Sequence, residues 1–326
     1  MTDKTVLVLG AAGRFGAAAV EAFAAAGWRV LAQARRAPAQ PLPVRAEAVS
    51  LPLAETDAIV ARAAGARAVV YAVNPVYTRW NQELLPLFRQ GLEVARKLDA
   101  RFMLPGNVYN YGESMPALLH EDTAERPSNA KGRLRCEMEA GLRAAPVAAV
   151  VIRAGDFFGA GRGSWLDQAI AKDLARGKLV YPGPLDRVHA WAYLPDFARA
   201  FVAVAEQAAA PKFQRLNFAG YPLTGAALLA AIEAAAADLG LAPAGGFRRG
   251  SLPWGLMRAL GPFVPMWREL ARMSYLWRVP HALDGAALER AVGRLPATPL
   301  AAALRRTLLD LGPAAGLAQR ALSSGA

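Results

Sequence analysis

The stretch Thr5-Val-Leu-Val-Leu-Gly10-Ala-Ala-Gly13-Arg-Phe-Gly16 decides the fold of this chain. Its first five residues form an unbroken apolar run, which predicts a buried strand of a parallel sheet. Three glycines spaced by three follow, and Arg14–Ala26 has the composition of a helix that Gly27 ends. Such a turn predicts a pyrophosphate site, because glycine permits close approach and a helix N-terminus attracts anions. The alternative is a glycine-rich turn without a ligand.

Outward from this turn, strands and helices alternate up to about residue 152. The further strands that we predict are Arg29–Ala32, Ala46–Val49, Ala68–Val73, Phe102–Leu104 and Val147–Ile152. The further predicted helices are Glu55–Ala64, Trp80–Leu98 and one that Ser128 caps and that runs to about Arg143. This alternation is typical of parallel βαβ units. It predicts an α/β fold, a doubly wound parallel Rossmann sheet with a smaller, mainly helical C-terminal substrate lobe.

The pattern becomes less regular after Arg153. We predict a helix at Trp165–Arg176, strands at Ala190–Tyr193 and Phe213–Asn217, and helices that Pro195, Thr224 and Thr298-Pro299 open. No change of composition marks a linker, so we expect the chain to cross between two lobes. Residues 1–155 and about 189–220 are assigned to the cofactor-binding Rossmann domain, and about 156–188 and 221–326 to the substrate lobe.

The end of the second predicted strand distinguishes between the nicotinamide dinucleotides. It reads Leu31-Ala-Gln-Ala-Arg35-Arg36, without the carboxylate that would bind a ribose 2′-hydroxyl. Arginine suits a 2′-phosphate, so the pattern favours NADP(H) over NAD(H), and Arg14 is a further candidate for that phosphate. The alternative is that these arginines are solvated surface residues. From the turn and this strand we expect cofactor contacts by Gly10, Ala12, Gly13, Arg14, Phe15, Gly16, Arg35 and Arg36.

Four later segments carry a family resemblance: Val69–Pro75, Phe102–Gly112, Val151–Gly159 and His189–Asp196. Together with the glycine turn they resemble the extended short-chain dehydrogenase/reductase family, which includes nucleotide-sugar epimerases and dehydratases. The resemblance extends over about residues 4–220. It implies that the segment after the fourth strand passes near the nicotinamide ribose, so that Val73 and Asn74 contact the cofactor.

The resemblance fails at the residues that carry the chemistry of the family, a Ser/Thr and a Tyr-x-x-x-Lys pair on one helix face. Aligned positions here hold Asn107, Lys131 and Arg135, and no tyrosine lies between Tyr111 and Tyr181. Arg135 still suits ribose hydroxyls, Asn107 suits a carbonyl, and Lys131 suits a general acid if its pKa is lowered. Alternatively, Lys131 and Arg135 only hold the cofactor. The neighbouring proton donors are Tyr109 and Tyr111, whose alternative role is packing.

Five residues lie in the resembling segments or in the loops near them, and we expect them to line a substrate pocket. They are Arg153, Arg162, Arg187, His189 and Trp191. The three histidines have no spacing that predicts a metal site. The segment Leu252–Arg278 mixes aromatic residues with arginines. Its interpretations are a lid over an apolar substrate, a contact with a membrane surface, and a helical pair that caps the second lobe.

Composition narrows the class of protein. The chain has 326 residues, 54% of them hydrophobic, and a net charge of +12 that comes mainly from arginine. This excess has two interpretations, a compositional habit and attraction of phosphorylated ligands, whereas no basic run or zinc spacing predicts nucleic-acid binding. A single cysteine, Cys136, and no signal-like or membrane-spanning run lead us to expect a cytoplasmic protein, either monomer or homodimer.

Three functions are compatible with these patterns. The first is an atypical NADP(H)-dependent oxidoreductase that acts on a small carbonyl or alcohol compound or on a nucleotide sugar. The second, which the missing Tyr and Lys motivate, is an inactive NADP(H)-binding sensor or assembly factor. The third is a nucleotide-sugar epimerase or dehydratase, which the missing tyrosine disfavours most.

Overall fold

A computed structural model describes residues 4–36, 41–209 and 211–312. Its centre is a parallel sheet of seven strands in the order β11-β7-β5-β4-β1-β2-β3. The strands of this sheet are β1 Thr5–Leu9, β2 Arg29–Ala34, β3 Ala46–Ser50, β4 Ala68–Tyr71, β5 Arg101–Gly106, β7 Ala149–Arg153 and β11 Phe213–Asn217. The doubly wound parallel sheet predicted from the sequence is therefore confirmed.

Seven further strands form three small sheets outside the central one. They are β6 Leu118–Leu119, β8 Asp156–Phe158, β9 Lys178–Tyr181, β10 Val188–Tyr193, β12 Tyr221–Thr224, β13 Arg248–Ser251 and β14 Ala282–Leu283. The α-helices of the described ranges are α1 Arg14–Ala25, α2 Thr56–Arg62, α3 Trp80–Leu98, α4 Ala130–Ala144, α5 Leu194–Ala205, α6 Gly225–Asp238, α7 Trp254–Leu260, α8 Pro265–Arg272, α9 Ala286–Val292 and α10 Leu300–Asp310. No described helix has the length and apolar character needed to cross a bilayer.

Two apolar clusters cover the faces of the central sheet. On one face α1 and α5 pack together through Phe23, Trp28 and Phe201. On the other face α3 and α4 bury Phe88 and Met138 against the strands. Burial on both faces explains why β1 is apolar without alternation.

A third cluster lies outside the sheet and joins α6, α10 and the strands β8, β9 and β10. Its centre is aromatic, with Phe158, Tyr181, Trp191 and Trp277 buried. This cluster is formed by segments on both sides of β11, so the chain crosses back to the central sheet between them.

Two local predictions differ from the structure. The predicted helix Trp165–Arg176 is instead a π-turn at Leu166–Ile170 and a 3₁₀ turn at Leu174–Arg176. Ser164 and Asp167 form a capping box at its start, but the Ala171 N–H then bonds the Leu166 carbonyl, five residues back, at 2.6 Å, so the segment does not continue as an α-helix. The cap of α4 is Asn129 and not Ser128, because the Asn129 side chain accepts from the Gly132 N–H at 3.1 Å. The predicted cap of α6 by Thr224 is confirmed.

The order of strands fixes where a ligand can enter. The chain adds β2 and β3 on one side of β1 and then returns to add β4 on its other side, which creates a crevice at the carboxyl ends of β1 and β4. Ligands of doubly wound sheets bind in this crevice. The glycine turn and the loops after β4, β5 and β7 all lie at this edge.

Candidate cofactor and active site

The glycine turn has a backbone that only glycine fits. Gly10 has a φ of +80°, and a Cβ at this position would lie 2.8 Å from the backbone of Ala72. A Cβ at Gly16 would overlap the Gly10 carbonyl oxygen. Gly13 is the N-cap of α1, and no acidic side chain occupies the first turn of that helix. The turn and the free N–H groups of α1 therefore form a cradle whose donors fit the pyrophosphate of a dinucleotide.

A glutamine at the end of β2 braces this turn. The buried Gln33 accepts the Gly10 N–H with its backbone oxygen at 3.0 Å and its Oε1 at 3.1 Å. Its Nε2 donates to the Leu51 carbonyl at 2.6 Å. Arg35 and Arg36 follow and are exposed. The sequence from Gln33 to Gln40 contains no carboxylate.

A cavity of about 280 Å³ lies beyond the carboxyl ends of β4, β5 and β7. Several residues predicted as site residues line it, namely Arg14, Asn74, Asn107, Tyr109, Arg135 and His189. Residues that the sequence analysis did not select also line it, among them Tyr77, Trp80, Asp156, Trp165 and His281. The structure thus brings together residues from eight separate segments of the chain.

Two tyrosines and an arginine form one wall of this cavity. Burial raises the pKa of Tyr77 well above its ordinary value, and the neighbouring Tyr109 raises it further. Burial and then the charge of Asp156 raise the pKa of Tyr109 to about 12, while Arg135 opposes them. Arg135 lies 4.8 Å from the Trp80 ring and has no carboxylate partner among the described residues. The wall therefore offers a phenol beside a guanidinium that is free for a ligand.

Asn107 and Arg14 complete the polar lining. The Asn107 Oδ1 accepts the Tyr109 N–H at 3.0 Å, so its amide nitrogen remains as a donor. Arg14 reaches across the mouth of the cavity and donates to the Gly159 carbonyl at 2.7 Å. Its Nε is buried without a partner in the structure. An orphaned guanidinium nitrogen beside the cradle fits a site for phosphate oxygens.

Opposite the tyrosines lies a histidine pair. His189 is buried, with Nε2 at 2.9 Å from Asp156 Oδ2 and Nδ1 at 3.2 Å from the Leu276 carbonyl. Both ring nitrogens thus lie within hydrogen-bond distance of an oxygen. His281 packs at 4.7 Å from His189, and burial followed by the neighbouring His189 lowers its pKa to about 3. The cavity therefore contains a hydrogen-bonded Asp–His pair beside a neutral histidine.

Lys131, at the tyrosine position of the family, is engaged elsewhere. Its Nζ donates to the Tyr77 carbonyl at 2.6 Å and lies 3.2 Å from Glu269 Oε2. Burial lowers the pKa of Lys131, and the hydrogen bond and charge of Glu269 oppose that shift. The ammonium lies beneath the Tyr77 ring, at 3.9 Å from its centroid. The lysine therefore connects α4 to α8, and the structure does not place it in the lining of the cavity.

Tyr111 and Arg153 belong to a buried charge network. Arg153 is fully buried and pairs with Glu139 at 2.7 Å, with Glu125 and with the Tyr111 hydroxyl. Arg215 bridges the same two glutamates at 3.1 and 3.2 Å. All the charges of this network are paired, so these residues connect β7, β11 and α4 and do not line the cavity.

Four further candidates lie apart from the cavity. Trp191 is buried in the third apolar cluster. Arg162 is exposed and donates to the Leu311 carbonyl, and the exposed Arg187 lies 3.7 Å from Asp186. Phe15 packs against Phe201 at 4.8 Å. Among the five predicted substrate residues, only His189 lines this cavity.

Some of the missed residues had a signal in the sequence. Asp156 lies inside a segment that was quoted for the family resemblance, and Tyr77 follows two residues after another such segment. Their importance depends on pairing with His189 and Tyr109, which are 33 and 32 positions away. His281 lies in the region without resemblance, so nothing in its surroundings indicated a site.

Comparison with family models gives one match. Residues 6–219 match the model described as the NAD dependent epimerase/dehydratase family, which is more than half of the 326 residues. Comparison with curated proteins gave no match.

Comparison with solved structures gives many similar folds. UDP-glucose 4-epimerase from Thermotoga maritima, solved with UDP-glucose, has a TM-score of 0.71 and 15% identity, over 94% of this chain and 98% of that one. L-threonine dehydrogenase from Clostridium difficile has a TM-score of 0.72 and 15% identity, over 95% and 98%. A human epimerase family protein, solved with NADPH, has a TM-score of 0.67 and 20% identity, over 94% and 100%. Identities this low establish similarity of fold alone.

Proposed function

Because this chain belongs to the NAD-dependent epimerase/dehydratase family, we propose that it is an NADP(H)-dependent oxidoreductase that interconverts a carbonyl compound and its alcohol. Its general type, a nicotinamide-dependent epimerase, dehydratase or dehydrogenase, follows from the family. The observation that carries the finer proposal is the Tyr77–Tyr109 pair beside Arg135, in the cavity next to the glycine turn. In this proposal the central sheet holds the cofactor and the C-terminal segments hold the substrate.

The cofactor would be held by the cradle and by arginines. The glycine turn and the first turn of α1 would bind the pyrophosphate, with Arg14 at its side. Arg35 and Arg36 would bind the 2′-phosphate, because the end of β2 offers guanidinium groups and no carboxylate. Arg135 and Asn74 would contact the nicotinamide ribose. When bound, the nicotinamide supplies or accepts the hydride at the reacting carbon.

Tyr109 would move the proton. In the reducing direction the carbonyl C–O π bond breaks as hydride reaches carbon, and the Tyr109 hydroxyl gives its proton to the oxygen. Burial raises the pKa of Tyr109 to about 12, while Tyr77 and the charge of Arg135 oppose that shift, so these two residues would stabilise the phenolate that results. The Asn107 amide would polarise the carbonyl. The tyrosine pair would thus replace the Tyr-x-x-x-Lys pair of the family.

A second candidate is a protein that binds NADP(H) without turnover. The observation in its favour is Lys131, which stands at the tyrosine position and is paired with Glu269 and the Tyr77 carbonyl. This candidate predicts NADPH binding and no NADPH oxidation with any carbonyl compound.

The Tyr109→Phe variant tests the proposal. It keeps the ring and removes the proton, so NADPH-dependent reduction of a carbonyl panel should fall by about 10²- to 10⁴-fold. NADPH affinity, measured by calorimetry, should stay within about twofold of the wild type. The control is Tyr71→Phe, because the Tyr71 hydroxyl is buried without a partner in the structure and does not line the cavity. An unchanged rate in Tyr109→Phe would overturn the assignment of the proton donor.

A further inference from the structure

A second cavity, of about 460 Å³, adjoins the first one and has an apolar wall. We call it the chamber. Its volume lies within the range of small-molecule sites. Its lining includes Trp165, Ala169, Met257, Met266, Trp267 and Trp277. Seven of the sixteen described residues that line it come from α7, α8 and the turn after them, which form one side of the chamber.

No described residue that lines the chamber carries a charge. A nucleotide sugar brings a diphosphate, which needs cations or several N–H donors when it leaves water. The arginines of this region, including Arg258, Arg268 and Arg272, are exposed and do not line the chamber. The chamber is therefore suited to a hydrocarbon group and unsuited to a diphosphate.

The chamber opens directly into the polar cavity. Tyr77, Tyr109, Trp165 and Leu276 line both spaces. One substrate molecule can thus place its reacting carbon at the Tyr109 hydroxyl and another of its groups in the chamber. Three methionines in the wall give it a polarizable, adaptable surface of the kind that accepts flexible chains.

The chamber also reaches the outside of the molecule. Met266 lines it and is 39% exposed, and Phe263, three residues earlier, is 83% exposed. An apolar group can therefore enter along an apolar edge, without crossing the arginines at the cofactor side.

We infer that the chamber binds the apolar part of the substrate, so that the substrate is a ketone or alcohol with a hydrocarbon chain rather than a nucleotide sugar. The inference rests on the proposed function for the identity of the reacting group. It rests on the lining of the chamber for the identity of the rest of the molecule. A medium-chain alkanone or alkanol has the required chemistry.

A binding measurement tests the chamber independently of turnover. The probe is 10-bromodecan-1-ol, whose bromine quenches tryptophan on contact, and Trp165, Trp267 and Trp277 line the chamber. We expect saturable quenching in the wild type. Ala169→Phe fills the chamber, and Met257→Gln makes it polar at nearly constant volume. Each variant should therefore raise the Kd of the probe by at least about fivefold. The matched control is Leu256→Gln, since Leu256 is 51% exposed and lies outside the chamber.

Turnover then tests the role of the chamber in catalysis. With NADPH, kcat/KM should rise by about fourfold for each methylene from 2-butanone to 2-decanone, and Ala169→Phe should flatten this rise. If probe binding depends on Ala169 but no alkanone is reduced, the chamber is supported as an apolar binding site and the proposed redox function fails. Two results would overturn the chamber as the substrate site: reduction without dependence on chain length, or probe affinity that Ala169→Phe leaves unchanged. The chamber would also be overturned as the substrate site if UDP-glucose displaced the probe and the alkanones did not.

Discussion

Two residues that are aligned with the catalytic pair of the family have different surroundings in this chain. Arg135, at the lysine position, lines the cavity and has a buried Nε without a partner in the structure. Lys131, at the tyrosine position, is 5% exposed and paired with Glu269. A phenol has therefore to come from another segment, and Tyr109 provides one from the loop after β5. Position in an alignment thus predicts the place of a residue better than its chemical role.

Arg35 gives the sharpest prediction for a single residue. Arg35→Asp removes a guanidinium group that suits a 2′-phosphate and adds a carboxylate that repels it. The Kd for NADPH should therefore rise by about tenfold to a hundredfold. The Kd for NADH should change by less than about threefold, because that cofactor has no 2′-phosphate. Calorimetric titration of both cofactors checks this. The control is Arg67→Asp, an exposed arginine next to the amino end of β4, at the opposite edge of the sheet. Equal weakening of both cofactors by Arg35→Asp would contradict the NADP(H) preference.

The sequence predicts the cradle better than the reacting wall. Gly10, Gly13 and Gly16 act through backbone geometry within one short segment, so their pattern is visible in the chain itself. The pairing of Asp156 with His189 depends instead on how β8 and β10 come together. Arg153 shows the reverse error, since a basic residue near the site was expected to face a substrate and is instead paired with the buried Glu139 and the half-buried Glu125.

At the scale of elements, one buried ion pair joins the cofactor side to the chamber. Lys131 lies on α4 and Glu269 on α8, and the lysine also donates to the Tyr77 carbonyl. Glu269 has Arg272 as a further partner at 3.1 Å. The position of α8, and with it one wall of the chamber, therefore depends on a residue of the Rossmann helix.

Lys131→Met should loosen this connection. The variant removes a buried ammonium, and Arg272 continues to compensate Glu269, so we expect a loss of about 1–3 kcal/mol in the free energy of unfolding. Urea unfolding monitored by tryptophan fluorescence measures it. Arg133→Met on the same helix is the control, since Arg133 is exposed. If both variants lose the same small amount, the link between α4 and α8 contributes no stability.

Prediction of the elements succeeded where one hydrophobic pattern ran through the whole segment. The helix α3 and the strand β11 have the predicted bounds, Trp80–Leu98 and Phe213–Asn217. The segment after Trp165 begins with a capping box of Ser164 and Asp167, but the Ala171 N–H then bonds the Leu166 carbonyl in the wider spacing of a π-turn. A change of hydrogen-bond spacing over a single turn is too short to alter the periodicity of the sequence.

At the scale of the whole molecule, the cavity is assembled from both parts of the chain. His189 lies on β10, between the central strands β7 and β11 in the chain, and His281 lies in the C-terminal region, yet their rings pack at 4.7 Å. His189 also stacks on Trp277, with ring centroids 4.3 Å apart. The packing that closes the cavity thus buries His281. Because a buried histidine resists protonation, the stability of the fold depends on pH.

The stability of the fold should fall in mild acid because of His281. Its pKa is about 3 in the folded chain and about 6.5 in an unfolded one, so only the unfolded state gains a proton between these values. Stability is therefore complete above pH 6.5 and decreases as pH falls, by about 2 kcal/mol between pH 7 and pH 5. Urea unfolding of the wild type and of His281→Asn at both pH values gives the difference. An identical pH dependence of the two proteins would exclude this contribution.

Transfer of deuterium from labelled cofactor tests the central claim most directly. The wild type is mixed with NADPH that carries deuterium on one face of C4, with each face labelled in turn, and with ketones from 2-butanone to 2-decanone. We predict that one of the two labelled forms gives an alcohol with deuterium at its carbinol carbon, as mass spectrometry would detect. Bound NADPH that gives no labelled alcohol with either form, across these ketones and UDP-sugars, would contradict an oxidoreductase and favour the binding protein.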